Sequence, residues 1–171
     1  MEKERNSVLA YCLMRIDSAL VATGDKEESV KRMKKALVTA RKSQDKVQIA
    51  RCLVALGVRL ASAGFVAGAE ENWRKALNIA ESNDEYDMQQ IVGWTLIVKA
   101  RFLKQNAEYL GALKIAERAE KILENIKNYA GVANVTALMA ELCKNLNYYA
   151  KEKRYREKSE KFLKKAKIEQ R

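Results

Sequence analysis

The side chains that most often do covalent chemistry are scarce in this sequence. No histidine occurs among its 171 residues, which removes Ser-His-Asp and Cys-His pairs, the commonest general base and the commonest metal ligand. The three cysteines, Cys12, Cys52 and Cys143, are odd in number and far apart. Neither a disulfide framework nor a zinc site follows from that spacing. Each stands among apolar residues at helical spacing, where a free thiol behaves as a small hydrophobe. Carboxylates, lysines and tyrosines remain as acids and bases, but no convergent cluster of them can be named. A Gly-rich phosphate loop is also missing. No catalytic residue, metal or cofactor is expected, and the chain reads as a binder.

Charge offers the other chemistry. The formal net charge is +11 and it is uneven. From Ala150 to Arg171 ten Lys/Arg face four Glu, a net of +6, whereas Val47 to Val92 carries a net of −2. Arg154, Lys158, Lys161 and Lys165 recur at spacings of four, three and four, one stripe of a helix; Tyr155, Phe162, Leu163 and Ala166 make a second stripe that packs. Another basic cluster, Lys31, Arg32, Lys34 and Lys35 with Arg41 and Lys42, lies on the second helix. One reading is a solvated face, tempered by pairs such as Glu157 with Lys161 and Glu160 with Lys164. The other is an electrostatic footprint for RNA, a ribosomal surface or an acidic protein, backbone-driven and salt-dependent. An anionic membrane surface fits less well, because these helices lack a large apolar face.

The elements that must position these residues are helices. Proline is absent, and apolar residues recur three and four apart, as in Leu9, Leu13, Ile16, Leu20 and again in Leu53, Leu56, Leu60. Gly24 should end the first helix, with Asp25 and Glu28 as a capping box opening the second. Asp45 should open a third that ends at Gly64, and the fourth should run from Val66 to Ala80. Asp84 is a candidate cap for the fifth and Asn106 for the sixth. Asn128 to Gly131 makes the next break. Between Asn147 and Lys153 no strong turn signal is present, so seven or eight helices are expected. Short loops imply antiparallel neighbours, in hairpins of about 7–43, 45–82, 85–127 and 131–168 within a single domain spanning 1–171.

The second hairpin carries a recognisable spacing. Leu53, Leu56-Gly57, Leu60, Gly64, Val66, Ala69, Trp73 and Ala76-Leu77 resemble the tetratricopeptide repeat, which sets Leu-Gly on its first helix and Ala, an aromatic and Ala on its second. Small residues let two helices approach and large ones fill what remains, so Trp73 is expected in the core. In the first hairpin Leu13, Ile16, Leu20, Ser29, Met33 and Ala36-Leu37 fall at matching offsets, with Asp17 in place of Gly. In the third, Leu96, Ala100, Leu103, Tyr109, Ala112, Ala116 and Ala119 fit. The fourth, with Leu142, Leu146, Tyr149, Tyr155 and Phe162, lacks the small residues. Repeats of about 40 and 43 residues exceed the usual 34 or so.

What the resemblance implies is an all-α solenoid of antiparallel hairpins that holds a peptide or helix in a groove lined by the first helix of each hairpin. Carried over by offset, that groove takes Tyr11, Met14 and Ser18, then Arg51, Val54 and Val58, then Trp94, Ile97, Arg101 and Lys104, and finally Cys143 and Asn147. Mostly apolar with a basic rim, it would suit an amphipathic helix or an extended acidic peptide. Met14, Val54 and Val58 stand where a carboxylate clamp would need polar groups, so a chaperone co-factor is not expected. Trp94 has two readings, an inter-repeat contact or an aromatic anchor for the partner. The functional expectation is a non-enzymatic interaction scaffold; the alternative is RNA or ribosome binding through the second and last helices. Self-association through a terminal repeat is compatible with either. Apolar stretches such as Ile91 to Val98 are too short to span a bilayer, and no secretory leader is recognisable, so a cytoplasmic protein without membrane insertion is expected.

Overall fold

The computed structural model describes the backbone of residues 2–20 and 25–169 and the side chains of 2–11 and 25–168. It contains eight helices and, among the described residues, no strand: α1 (Glu2–Leu20), α2 (Lys26–Ser43), α3 (Lys46–Ser62), α4 (Val66–Ala80), α5 (Tyr86–Gln105), α6 (Tyr109–Asn125), α7 (Tyr129–Asn145) and α8 (Tyr149–Glu169). The helix end expected at Gly24 and the side chains of Cys12, Leu13, Met14, Ile16, Asp17, Ser18 and Leu20 lie outside the described residues. The chain divides into two compact units, Met1–Asn83 and Asp84–Arg171. Within each, every helix packs on its successor, and the odd-numbered helices also touch: α1 with α3, α5 with α7.

Two aspartates open helices as their sequence context requires. Asp25 accepts from the Glu28 amide at 2.9 Å, although Glu28 sends its own carboxylate to Arg32 rather than back to the cap. Asp45 accepts from the Gln48 amide at 3.1 Å and, with its other oxygen, from the Ser7 hydroxyl at 2.7 Å. That second bond ties α1 to the joint between α2 and α3.

Most other joints close the preceding helix with a shared backbone device, to which the joint into α7 adds a side-chain cap, Asn128 accepting from the Gly131 amide at 2.8 Å. After α3, α5, α6 and α7 the chain makes one left-handed residue, at Gly64, Ala107, Lys127 and Asn147. The amide after it bonds back five residues, as in Glu108 to Leu103 (2.9 Å), Asn128 to Leu123 (2.9 Å) and Tyr148 to Cys143 (2.8 Å). The left-handed residue's own amide bonds back three, as in Ala107 to Lys104. This double closure is the Schellman motif, which satisfies carbonyls the helix end would leave orphaned. Consequently α6 starts at Tyr109, not at the Asn106 cap expected from sequence, and Gly131 lies inside α7 rather than in a break. Asp84 is likewise not the cap of α5; Glu85 holds that position, with no side-chain cap bond. Asn147 makes α7 and α8 separate helices.

The core of each unit is a column of small residues with larger ones between them. In the first unit Ala36, Ala40, Ala50, Ala69, Ala76 and Ala80 are fully buried, with Met33, Leu53 and Trp73 wedged among them. Trp73 donates its Nε1 hydrogen to the Val54 carbonyl at 3.3 Å, and its ring lies over Gly57, where a Cβ would come within 2.4 Å of the indole. In the second unit Leu123 takes the corresponding part. It sits against Gly93 of α5 and Gly131 of α7, where added Cβ atoms would come within 2.6 and 3.0 Å of it. Thr95 and Thr136 are fully buried and turn their hydroxyls onto the Ile91 and Val132 carbonyls, each at 2.7 Å. The hydroxyls are thereby satisfied within their own helices.

Candidate functional site

The odd-numbered helices present the surface on which the sequence places its partner groove. In the first unit, Tyr11 on α1 is exposed, and Arg51, Val54 and Val58 on α3 are half-buried. Met14 and Ser18 lie outside the described side chains. In the second unit, Trp94 is half-buried, so both of its sequence readings survive. Ile97 does not belong to an open surface: it is fully buried among the core side chains. Cys143 is also fully buried, and Asn147 stands in the joint, where its side chain accepts the Tyr149 hydroxyl at 3.0 Å.

Arg101 and Lys104 face α7 across a trough. Arg101 donates to the Asn134 side-chain oxygen at 2.6 Å, and Lys104 pairs with Glu141. Together with Ala137 these residues enclose a cavity of about 310 Å³ between α5 and α7. Ala137 and Glu141 also border a second hollow of about 300 Å³ between α7 and α8, which Lys144, Arg156 and Ser159 line. Arg156 pairs there with Glu152, and the Ser159 hydroxyl donates to the Ala133 carbonyl at 2.8 Å. The result is one trough with a floor of alanines, polar groups on both walls, and charges of both signs, of which Lys104 with Glu141 and Arg156 with Glu152 are held in pairs.

Asn134, Ala137 and Glu141 escaped the sequence reading because the offset from α5 to α7 was taken as 46 residues, which carries Ile97 and Arg101 to Cys143 and Asn147. The left-handed joints stand 43 residues apart from Gly64 to Ala107 but 40 from Ala107 to Asn147. Counting 40 from Trp94, Ile97 and Arg101 gives Asn134, Ala137 and Glu141. The signal was the joint itself, which an alanine or asparagine marks only weakly.

The basic residues divide. On α2, Arg32 pairs with Glu28 at 3.0 Å and Lys31 approaches it at 4.0 Å, while Lys35 is exposed. On α8, Lys158 is not part of an open stripe. It reaches α6 and pairs with Glu120 at 2.8 Å and Glu124 at 2.7 Å. Burial pulls its ammonium down, but the two carboxylates outweigh that and hold it above the usual lysine range. Lys165 lies 5.3 and 5.2 Å from the ring centres of Tyr129 and Phe162, and Arg154 and Lys161 are exposed. The pairs expected within α8, Glu157 with Lys161 and Glu160 with Lys164, do not form; Glu152 with Arg156 does.

The two thiols among the described side chains are held out of reach. Cys52 is fully buried and its thiol is pushed up to about 11, by burial first and by the Asp45 carboxylate second. Burial likewise raises Cys143. Among the described residues no group of three His, Cys, Asp or Glu is placed to hold a metal ion, and no helix is long and apolar enough to cross a membrane.

No protein-family model matches the chain, and no curated protein matches it in sequence. Its fold does have solved counterparts. The crystal structure of aspartyl phosphate phosphatase F from Bacillus subtilis superposes on 97% of this chain with a TM-score of 0.81, at 16% sequence identity. The chain spans 42% of the length of that protein. At such identity the likeness carries the fold, and the fold is a tetratricopeptide-like helical repeat.

Proposed function

We propose that this chain is a non-enzymatic interaction module that holds a peptide or helix in the trough between the odd-numbered helices α5 and α7 of its second unit. The observation that carries this reading is the trough's composition. Asn134, Arg101, Lys104 and Glu141 offer donors and acceptors on both sides of the small Ala137. A backbone can approach closely over an alanine, and paired charges exchange partners at little cost when a ligand brings its own. Trp94, half-buried on the same helix, supplies apolar area of the kind that anchors partners. The phosphatase named in the fold comparison has more than twice this length, and its activity is not carried over. The buried thiols and the paired charges of the trough support binding rather than turnover.

Ala137→Trp is the test. Ala137 is exposed at the centre of both hollows, so a large side chain fills the trough without entering the core. Proteins recovered from extract by the wild type at moderate salt after nuclease would be identified, and one titrated in purified form. At least a tenfold loss of affinity in Ala137→Trp, with unchanged thermal unfolding, is expected. Equal affinity would remove the trough as the site. Trp94→Ala should weaken the same partner with little loss of stability; unfolding would instead assign Trp94 to the core.

A further inference from the structure

On the other side of the second unit, α6 and α8 lie next to each other, joined by Lys158 and its two glutamates. That junction changes the electrostatics of the face around it. Glu120 and Glu124 would temper a basic surface here, and both are committed to Lys158 in the seam. Outside the seam the exposed cations outnumber the carboxylates beside them, Glu117 on α6 and Glu157 on α8. Lys114 and Lys121 are exposed on α6 seven residues apart, and Arg154, Lys161 and Lys165 are exposed on α8 at spacings of seven and four. Seven residues are close to two turns, so each set lies along one side of its helix. Lys114, Lys121, Arg154 and Lys161 have no ion-pair partner among the described residues. Lys165 is steadied over the Tyr129 and Phe162 rings.

We propose that this α6–α8 face binds the phosphate backbone of a nucleic acid without reading its sequence. The alternatives are poorer fits. A protein interface needs a desolvated apolar centre, and an interfacial membrane helix needs an apolar face. Leu163 is half-exposed but stands nine residues from Arg154, on the opposite side of α8, and exposed Ile168 lies alone at the far end of the helix. Separated ammonium and guanidinium groups on flexible stems match a row of phosphates, whose condensed counterions they release. The inference is independent of the trough, which opens on α5 and α7.

Binding of the full chain to labelled duplex RNA, duplex DNA, single-stranded RNA and polyglutamate of equal length would be measured by anisotropy from about 50 to 200 mM salt. With five cations engaged, the logarithm of affinity for a duplex should fall with a slope of about −4.5, roughly a 500-fold loss over that range. Replacing Lys114, Lys121, Arg154, Lys161 and Lys165 by Gln should reduce low-salt affinity on the order of 100-fold or more. Replacing Lys31, Lys34, Lys35, Arg41 and Lys42 of α2 by Gln removes the same formal charge and should cost only a few-fold. Lys121→Glu with Lys161→Glu gives a second, smaller perturbation, each protein being checked by thermal unfolding. Similar affinity for both duplexes supports backbone recognition, and preference for RNA adds the ribose hydroxyl to the same face. Equal losses in the α2 and α6–α8 variants, polyglutamate binding as tight as nucleic acid, or no binding at low salt would each overturn the proposal.

Discussion

The hairpins α3–α4 and α5–α6 solve one packing problem at opposite ends. In α3–α4 the helices close over Gly57, seven residues before the left-handed Gly64, and the residue laid on the glycine is Trp73. In α5–α6 they close over Gly93, fourteen residues before the left-handed Ala107, and the residue laid on it is Leu123. One hairpin is pinched near its joint and the other near its open end. A glycine beneath a large side chain is therefore the conserved physics of the fold, whereas its distance from the joint is adjustable. Repeat patterns written in terms of that distance fit α3–α4 and miss α5–α6.

Removing the large partner should have the greatest effect. Trp73→Ala empties a fully buried site and should cost about 3–5 kcal/mol, measured by chemical unfolding. Next comes Gly57→Ala: despite the better helix propensity, the indole must move, for a net cost of about 1–3 kcal/mol. In the Trp73→Ala background the same Gly57→Ala change should become neutral or stabilising, by up to about 1 kcal/mol. A double-mutant cycle without coupling would show that the glycine is there for another reason. Gly93→Ala should cost about 1–2 kcal/mol, because Leu123 is held from both sides by Gly93 and Gly131 and has little room to yield.

Two of the three thiols can report which unit opens, with Cys12 replaced by Ser so that it takes no label. Cys52 belongs to the first and Cys143 to the second, and both are fully buried with raised pKa values. Gly57→Ala should speed labelling of Cys52 by an aromatic disulfide reagent and leave Cys143 unchanged; Gly93→Ala should do the reverse. Acceleration of both thiols by either change would mean that the units open together.

The smallest effect belongs to the seam between α6 and α8. Lys158→Met should cost about 1 kcal/mol, the scale of a partly exposed ion pair. Because the folded pKa of Lys158 is raised, its contribution is complete below the unfolded value near 10.4 and disappears as pH climbs through the folded one. Thermal unfolding from pH 9 upward should show this loss in the wild type and not in Lys158→Met.

Legibility followed the chemistry of each signal. Asp25 and Asp45 announced helix starts because a short carboxylate has few better uses than capping. The core positions Trp73, Ala69 and Ala76 were readable because Gly57 and its companions fell at a known spacing. The joints at Ala107, Lys127 and Asn147 were not, since only glycine advertises a left-handed backbone and none of these is glycine. That single blind spot displaced the α7 groove residues by six positions and left the number of helices open. It also hid Asn134 and Glu141. The pairing of Lys158 across to α6 could not be read either, because it depends on which side of α8 meets its neighbour.

Those left-handed joints also dictate where the chain tolerates a change of length. Each spends a fixed number of residues between one helix and the next, so the phase of the following helix is counted from the joint. One extra residue beside Ala107 would turn α6 by about 100°, carrying Ala112, Ala116 and Ala119 away from α5 and presenting Gly111, Ile115 and Arg118 in their place. Insertions that leave this hairpin foldable must therefore come as whole turns, added together to the two helices that face each other.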